Sequence, residues 1–531
     1  MSVSMTLRDL LAGVAEPATA GDIVVSGLNL DSRRVRPGDA FIALKGGTTH
    51  GIEFASKALE RGAVVVLAES VGPGPGTRDP GPATSSSGAS DSSPASIEAE
   101  ESEATASSQV SGPGTRVPGP VIWIDNLRHH LGAIAARFFD HPSSALTVIG
   151  VTGTNGKTST VQMLAQALDL LGHRAASIGT LGVGLVGQLE AGERTTPDVI
   201  SVHAQLAALR DAGASHVAME ASSHALDQHR VDGVDFDVAV FTNLTRDHLD
   251  YHGTMQAYGE AKARLFAWPT LKAAVVNIDD PFGRTLAERV ADGVQCLASG
   301  IHVVDADVHA GSVRTTPEGL RFRLYTPWGK AEVTSPLLGE FNVSNLLSVV
   351  ACLGALGESF ERIVDVLGQL QPVPGRMSRL GGHDDLPLLV VDYAHTPDAL
   401  EQALTSLREH CAGHLICVFG CGGERDVGKR PQMAAIAERL ADRVIVTDDN
   451  PRGENGDAIV AAIMQGFMQP DAVRVERDRA QAIALALDEA ATGDVVLVAG
   501  KGHETYQEVA GERHPFDDLA VARAAMEVRT C

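Results

Sequence analysis

Residues 147–160 read TVIGVTGTNGKTST: a β-branched run, a turn holding Gly150, Gly153, Thr154, Asn155 and Gly156, and then Lys157-Thr158 at the start of a helical pattern. Each residue type has a chemical use there. Glycines let backbone N–H groups approach phosphate oxygens, and a helix N-terminus adds positive potential. Lys157 is placed to reach terminal phosphates, and the Thr158 hydroxyl is a ligand for Mg²⁺. The usual G-x-x-x-x-G-K-[ST] spacing lacks its first glycine, since Val151 stands there. The strand–loop–helix context supplies what the pattern alone leaves open.

A nucleotide site also needs an acid to hold the metal. The segment HVAMEASSHAL puts Glu220 just beyond a short apolar run. Alone, such a glutamate reads as a solvated loop residue. Two further segments change that: FTNLTRDHLDYH (241–252), rich in His and Asp, and YGEAKARLF (258–266), with Lys262 on an expected helix. Four more polar turns follow apolar runs toward the C-terminus. They carry Asp392 and His395, then Arg425, then Asp449 to Arg452, then Gly500 to Glu504. Arginine grips carboxylate and acids bind ammonium, so this mixture suits a zwitterionic substrate.

These groups need a scaffold that brings them together. Strands are expected at Thr147–Val151, Val217–Met219, Val238–Phe241, Ala273–Val276, Leu388–Val391, Leu415–Phe419, Val444–Val446 and Val495–Val498. Helical patterns alternate with them, as in Val161, Leu164, Leu168 and Leu171 after the phosphate loop. This is the α/β layout around a mainly parallel sheet, in which ligands bind at the carboxyl ends of strands. The Pro372–Arg376 turn marks a boundary, giving domains at 1–140, 141–374 and 375–531. Within the first, residues 71–120 are dominated by Gly, Pro and Ser and are expected to be a disordered insertion.

The chain has 531 residues and a formal charge of −24, which argues against a general nucleic-acid- or lipid-coating surface but allows a local basic pocket. No run has the ~18 apolar residues of a membrane helix and no signal core opens the chain, so a cytoplasmic protein is expected. The six cysteines form no C-x-x-C pair and read as buried reduced thiols.

The motifs TGTNGKT, EASSHAL, DHLDYHG, FNVSN, GRM, DYAHTPDAL, GCGGERDVGKRP, DDNPR and AGKGHE occur in the order found in the Mur ligases. The chain resembles that family over about residues 25–510, and within it the members that add the third residue of the peptidoglycan stem peptide. The resemblance implies a central P-loop domain, a C-terminal Rossmann-like domain and a small N-terminal α/β domain for a UDP-linked substrate. It implies an ADP-forming ligase that joins an amino acid to UDP-N-acetylmuramoyl-L-alanyl-D-glutamate through an acyl phosphate, using ATP and Mg²⁺, as a monomer acting on small molecules. Leu30, Ser32 and Gly47, Thr48 and Thr49 look like UDP-end contacts. Thr195, Thr196, Ser222, Gln228 and Arg230 look like muramoyl-dipeptide contacts.

By the same resemblance Asn342, Asn345 and Arg376 would contact ATP beside the Gly153–Thr158 loop, with Lys157 and Asp392 serving catalysis. Thr158 and Glu220 would hold one Mg²⁺ and His248 a second. Lys262 matches a lysine that the family carbamylates with CO₂; a carbamate offers magnesium an oxygen anion, which an ammonium does not. The amino-acid site would comprise Arg425, Asp449, Asn450, Pro451, Arg452, Gly500 and Glu504. The DNPR form resembles diaminopimelate-adding members, because Arg452 has a distal carboxylate to grip; lysine-adding relatives lack it. The following Gly453–Gly456 stretch, without the proline often found there, is expected to be a flexible loop. A folylpolyglutamate-type ligase would share the phosphate loop but not the LDSRRVRPGDAFIALKGG segment. A kinase would make ADP without an amide, and a non-catalytic nucleotide-binding module would have no need of His248, Lys262 or Asp392.

Overall fold

The computed structural model describes residues 4–47, 49–70, 119–192, 194–316, 318–383 and 386–530. Nearly all of the expected insertion at 71–120, and Thr48, therefore lie outside the described residues. The chain forms two compact units, Met1–Asp140 and His141–Cys531.

In the first unit four parallel strands, Gly27–Asn29, Asp39–Ala43, Val65–Glu69 and Val121–Ile124, form one sheet in chain order. The strand Asp39–Ala43 is buried along its whole length, as expected where a parallel sheet is covered on both faces. Helix Leu127–Phe138 buries Leu127, Leu131, Ile134, Ala135 and Phe138, one stripe at helical spacing.

The second unit holds two sheets. The larger runs, in spatial order, Gly329–Ser335, Gly319–Thr326, Val308–Thr316, Gln295–Gly300, Ala273–Asn277, Val238–Phe241, Thr147–Thr152, His216–Glu220, Ala175–Gly179, Gly182–Leu185. The six from Val308–Thr316 to His216–Glu220, with Ala175–Gly179, are parallel, and antiparallel hairpins finish both edges. Helix Lys157–Leu170 lies on this sheet with Val161, Leu164 and Leu168 fully buried, and packs with helix Phe341–Ala355 in one core. The smaller sheet has the order Ser378–Gly381, Leu388–Asp392, Val495–Ala499, Leu415–Phe419, Arg443–Val446, Arg474–Val475, parallel except at its first strand. All eight strands expected from sequence are present, most of them longer by a residue.

His410 ties the segment after helix Pro397–Arg408 to the larger sheet. Gly339 N–H donates to His410 Nε2 at 2.9 Å, so the ring proton sits on Nδ1 and is donated to Thr316 O at 2.6 Å. Burial pushes its pKa down, which suits the neutral ring. The thiols are less uniform than expected: Cys352, Cys417 and Cys421 are buried, Cys296 and Cys411 are half-buried, and Cys531 lies outside the described residues. Among the described residues no helix is long and apolar enough to cross a membrane.

Candidate active site

The phosphate loop leaves strand Thr147–Thr152 and enters helix Lys157–Leu170. Gly153 and Gly156 have φ of +151° and +84°. A Cβ on Gly153 would stand 1.8 Å from Thr242 Oγ1, and one on Gly156 would stand 2.6 Å from Asn345 Oδ1. Only glycine fits either place. The loop is propped from the neighbouring strand end: Asn243 O accepts from Thr154 N at 2.8 Å, Asn243 Oδ1 accepts from Asn155 N at 2.9 Å, and Thr242 Oγ1 donates to Asn155 O at 2.6 Å. Lys157 Nζ folds back to Gly153 O and Thr154 O, at 2.9 and 2.7 Å.

Glu220, expected at a strand end, is 1% exposed. Its Oε1 accepts from Thr158 Oγ1 at 3.0 Å and from Thr180 N at 2.8 Å, while Oε2 is buried without a hydrogen-bond partner. A buried carboxylate oxygen with nothing to satisfy it, beside the hydroxyl that opens the loop's helix, fits a cation. Among the described residues no group of three or more His, Cys, Asp or Glu side chains is arranged to hold a metal ion. One carboxylate and one hydroxyl are the sparse protein set that suits Mg²⁺, which keeps waters and shares phosphate oxygens.

Lys262, on helix Met255–Ala263, is 1% exposed. Its Nζ donates to Gly153 O at 2.7 Å and lies 4.2 Å above the Tyr258 ring. Burial first, and the Lys157 charge second, push its pKa far down, so the neutral amine is accessible. Tyr258 joins the same group through a 3.1 Å bond with Thr154 Oγ1, its own pKa pushed up to about 12 by burial. His248 has a left-handed backbone with φ of +52°, pairs with Asp247 at 3.3 Å and packs against His224. Together with Thr154 and Asn155 it lines a cleft whose far wall is Thr396–Ala399, Asp426 and Lys429.

The expected dipeptide contacts of this unit form a connected group around Glu220. Thr196 Oγ1 donates to Glu220 O at 2.8 Å and lies 3.3 Å from Ser222 Oγ; Thr195 Oγ1 accepts from Thr180 Oγ1 at 3.1 Å. Arg230 Nη1 donates to Thr196 O at 3.1 Å and Arg230 Nε to Gln228 Oε1 at 3.0 Å. In the first unit Leu30 and Ser32 follow one parallel strand, and the exposed Gly47 and Thr49 follow the next, all at carboxyl ends.

Asn342 and Asn345 are buried on helix Phe341–Ala355, where Asn345 Nδ2 donates to Asn342 Oδ1 at 3.0 Å and Asn345 Oδ1 accepts from Thr160 at 3.4 Å. They brace the helix of the phosphate loop. Arg376 lies over the Tyr393 ring at 4.8 Å and keeps a buried Nε without a partner. Asp392 Oδ2 accepts from Met377 N at 2.8 Å. Burial pushes the Asp392 pKa up, and Arg376 opposes that.

At the carboxyl end of the smaller sheet the four polar turns meet as expected. A Cβ on Gly420 would stand 2.3 Å from Thr447 O, one on Gly423 2.0 Å from Pro451 O, and one on Gly500 2.5 Å from Asp449 Oδ2. The Asp449–Arg452 turn thus lies directly on glycine backbone. Arg452, with φ of +52°, donates from Nη1 to Gly423 O at 2.7 Å, and Asn450 Nδ2 donates to Glu504 Oε2 at 2.7 Å. Arg425 is exposed. The Gly453–Gly456 stretch, expected to be a flexible loop, is a turn at Gly453–Glu454 that leads into Asn455, the N-cap of helix Gly456–Met464. Asn455 Oδ1 accepts from Asp457 N at 2.8 Å, and a Cβ on Gly456 would stand 1.9 Å from Arg477 Nη2.

Sequence reasoning missed several contributors. Lys501 stands inside AGKGHE yet is fully buried. Arg479 and Asp518, both wholly buried, pair at 2.7 Å, and Arg479 Nη2 also donates to Ala499 O at 3.0 Å. Nothing local marks Arg479. The signal for Lys501 was an apolar strand ending in a lone lysine between glycines.

Comparison with known proteins covers the whole chain. The description "Mur ligase family, catalytic domain" matches residues 24–139, "Mur ligase middle domain" 151–353, and "Mur ligase, glutamate ligase domain" 375–502. A protein of Xanthomonas campestris pv. campestris named UDP-N-acetylmuramoyl-L-alanyl-D-glutamate--2,6-diaminopimelate ligase is 55% identical, covering 100% of this chain and 99% of its own. Proteins of the same name from Xylella fastidiosa and Pseudomonas aeruginosa are 54% and 49% identical, over 98% and 96% of this chain and 97% and 96% of their own. A solved structure with that name is 34% identical, with a TM-score of 0.69 over 99% of this chain and 100% of its own. A Mycobacterium tuberculosis folylpolyglutamate synthase, 20% identical with a TM-score of 0.57, covers 70% of this chain and 92% of its own and shares the fold.

Proposed function

The chain belongs to the Mur ligase family, and from that premise we infer that it is the ATP-dependent ligase adding 2,6-diaminopimelate to UDP-N-acetylmuramoyl-L-alanyl-D-glutamate in peptidoglycan precursor synthesis. Enzymes of this family use ATP and Mg²⁺. Bound Mg²⁺-ATP would supply its γ-phosphoryl group to the D-glutamyl carboxylate, with ADP leaving, and the amino group of diaminopimelate would then attack the mixed anhydride, with inorganic phosphate and a proton leaving.

The observation that carries the nucleotide site is the glycine-lined loop ending at Thr158, whose hydroxyl meets a buried Glu220 with one oxygen unsatisfied. In our reading Thr158 and Glu220 hold the metal, Lys157 leaves its loop carbonyls for phosphate, and Asn342, Asn345 and Arg376 frame the nucleotide. Thr195, Thr196, Ser222, Gln228 and Arg230 hold the dipeptide, with Leu30, Ser32 and Gly47–Thr49 taking the UDP end. Lys262, its ammonium disfavoured by burial, would add CO₂ at Nζ with loss of a proton, and the anionic carbamate and neutral His248 would form a second set of magnesium ligands. Asp392 fixes the Arg376 turn through Met377 N. Arg452 and Arg425 grip the distal carboxylate, while Asp449 and Glu504 face the ammonium groups. Stabilising developing charge with prearranged groups, and aligning amine with anhydride, are the main tasks. A monomer working in the cytoplasm completes this proposal.

The deciding experiment is ADP release with the UDP-dipeptide and ATP, comparing diaminopimelate with L-lysine. Release that depends on diaminopimelate supports the reading. Release with L-lysine alone overturns the specificity, and equal release with no amino acid overturns amide formation. The carbamate is tested separately by ¹³CO₂ labelling: a carbamate carbon resonance absent from Lys262→Ala is expected, and its absence from the wild type removes the assignment.

A further inference from the structure

We propose that Lys501 is a positioning residue for the acceptor amino acid, holding Asn450 and Glu504 in one arrangement. This rests on the reading of those two residues as acceptor contacts. Lys501 Nζ donates to Asn450 Oδ1 at 3.1 Å, to Glu504 Oε2 at 3.3 Å and to Tyr506 O. An ammonium has three protons, and here each has an oxygen from a different position of the chain. The side chain is 0% exposed.

These bonds fix what the neighbours present. Asn450 Oδ1 also accepts from Glu508 N at 2.9 Å, so the oxygen of that amide lies between two donors and its Nδ2 must turn to Glu504 Oε2, 2.7 Å away. Glu504 Oε2 is thereby taken by two donors, and Oε1 is the oxygen these bonds leave for a substrate ammonium. A buried ammonium is a costly way to fill space, and beside Glu504 it weakens the field offered to a cationic substrate. A methionine would fill a similar volume without burying a charge. What only the lysine supplies is the simultaneous orientation of one amide and one carboxylate across the 449–452 and 500–504 turns.

The test is steady-state kinetics of the full-length enzyme with all three substrates varied, for Lys501→Met, Lys501→Arg and Glu504→Gln. Loss of a charged hydrogen-bond anchor is expected to raise the KM for diaminopimelate roughly tenfold in Lys501→Met, with kcat changed less than about threefold. The KM values for ATP and the UDP-dipeptide stay within about twofold, and Lys501→Arg, which keeps the charge but not the compact three-proton head, recovers only part of the loss. A KM for diaminopimelate unchanged in Lys501→Met but raised in Glu504→Gln overturns the role of Lys501 alone. A KM unchanged in both overturns the acceptor pocket itself. An equal rise in all three KM values, or a fall in kcat alone, marks Lys501 as merely structural and also overturns the proposal. Should Lys501→Met fail to fold, Lys501→Gln is read by the same criteria.

Discussion

Replacing Glu220 with Gln separates a metal-binding acid from a structural one. The side chain is 1% exposed, and its Oε1 takes two donors, so a glutamine oxygen can keep both bonds. The other position gains an amide nitrogen where Oε2 had no partner, which costs about 1–3 kcal/mol as an unsatisfied buried donor. Against that, a buried negative charge disappears, so the ligand-free variant should lie within about 2 kcal/mol of wild type.

Ligand-linked stability behaves differently. A unit charge about 4 Å from a dication, at an effective dielectric near 20, interacts by ~8 kcal/mol, and desolvation returns most of this. Even a surviving third corresponds to roughly a hundredfold in affinity. With Mg²⁺ and a non-hydrolysable ATP analogue at 100 times the wild-type Kd, the wild type gains about 2.7 kcal/mol, and a hundredfold weaker variant gains only ~0.4 kcal/mol. Urea denaturation with and without the analogue measures both numbers. A Glu220→Gln protein that keeps the full ligand-dependent gain would refute the assignment of Glu220 to the metal.

Gly153→Ala forces a Cβ to within 1.8 Å of Thr242 Oγ1 at a φ of +151°, so a loss of about 2–4 kcal/mol in urea and a weakened KM for ATP are expected; a loss under ~0.5 kcal/mol would contradict the loop geometry. Arg452→Met should raise the KM for diaminopimelate about 10–100-fold in the ADP-release assay, and an unchanged KM would remove the arginine from the carboxylate. Arg479→Met strands Asp518 in a wholly buried site and should cost about 3–5 kcal/mol by urea denaturation, most of it recovered in Arg479→Met/Asp518→Leu; a double variant no better than the single would refute the pairing argument. His410 is held neutral and its pKa lies below the ordinary value, so the unfolded chain takes up its proton first. Its contribution is therefore nil above about pH 6.5 and increasingly destabilising as pH falls below that, until the folded pKa is passed. His410→Gln should flatten this part of the stability–pH curve, and an unaltered slope would show that the ring titrates freely.

Much of the site was legible because its parts are local. The phosphate loop, Glu220 and the 449–452 turn each follow a run of apolar residues that reads as a strand, and parallel strands place such turns at one end. What escaped was long-range. Asn345 was placed beside the phosphate loop only by resemblance, its bond to Thr160 across 185 positions being unreadable locally, and Arg479 reaches Asp518 and Ala499 from a helix whose pattern shows only an ordinary charged residue. The strands Ala175–Gly179 and Gln295–Gly300 were missed because their small and polar residues break the apolar run, although pairing on the sheet completes them. The helix that opens at the end of the Gly453–Gly456 turn also went unread. A Cβ on Gly456 would meet the guanidinium of Arg477, which no neighbouring residue announces.

The backbone floor made by Gly420, Gly423 and Gly500 has a bearing on how acceptor preference can diverge. A side chain added to that floor would collide with the main chain at Thr447 or Pro451, or with the Asp449 carboxylate, so under the proposed site assignment heritable change in selectivity is channelled into the rim, at Arg425 and Arg452, where side chains are exposed or half-buried. Under that assignment rim and floor are separable traits: a lineage could exchange the amino acid it installs without rebuilding the pocket, and an inhibitor that hydrogen-bonds to the floor should be harder to escape than one that grips the rim.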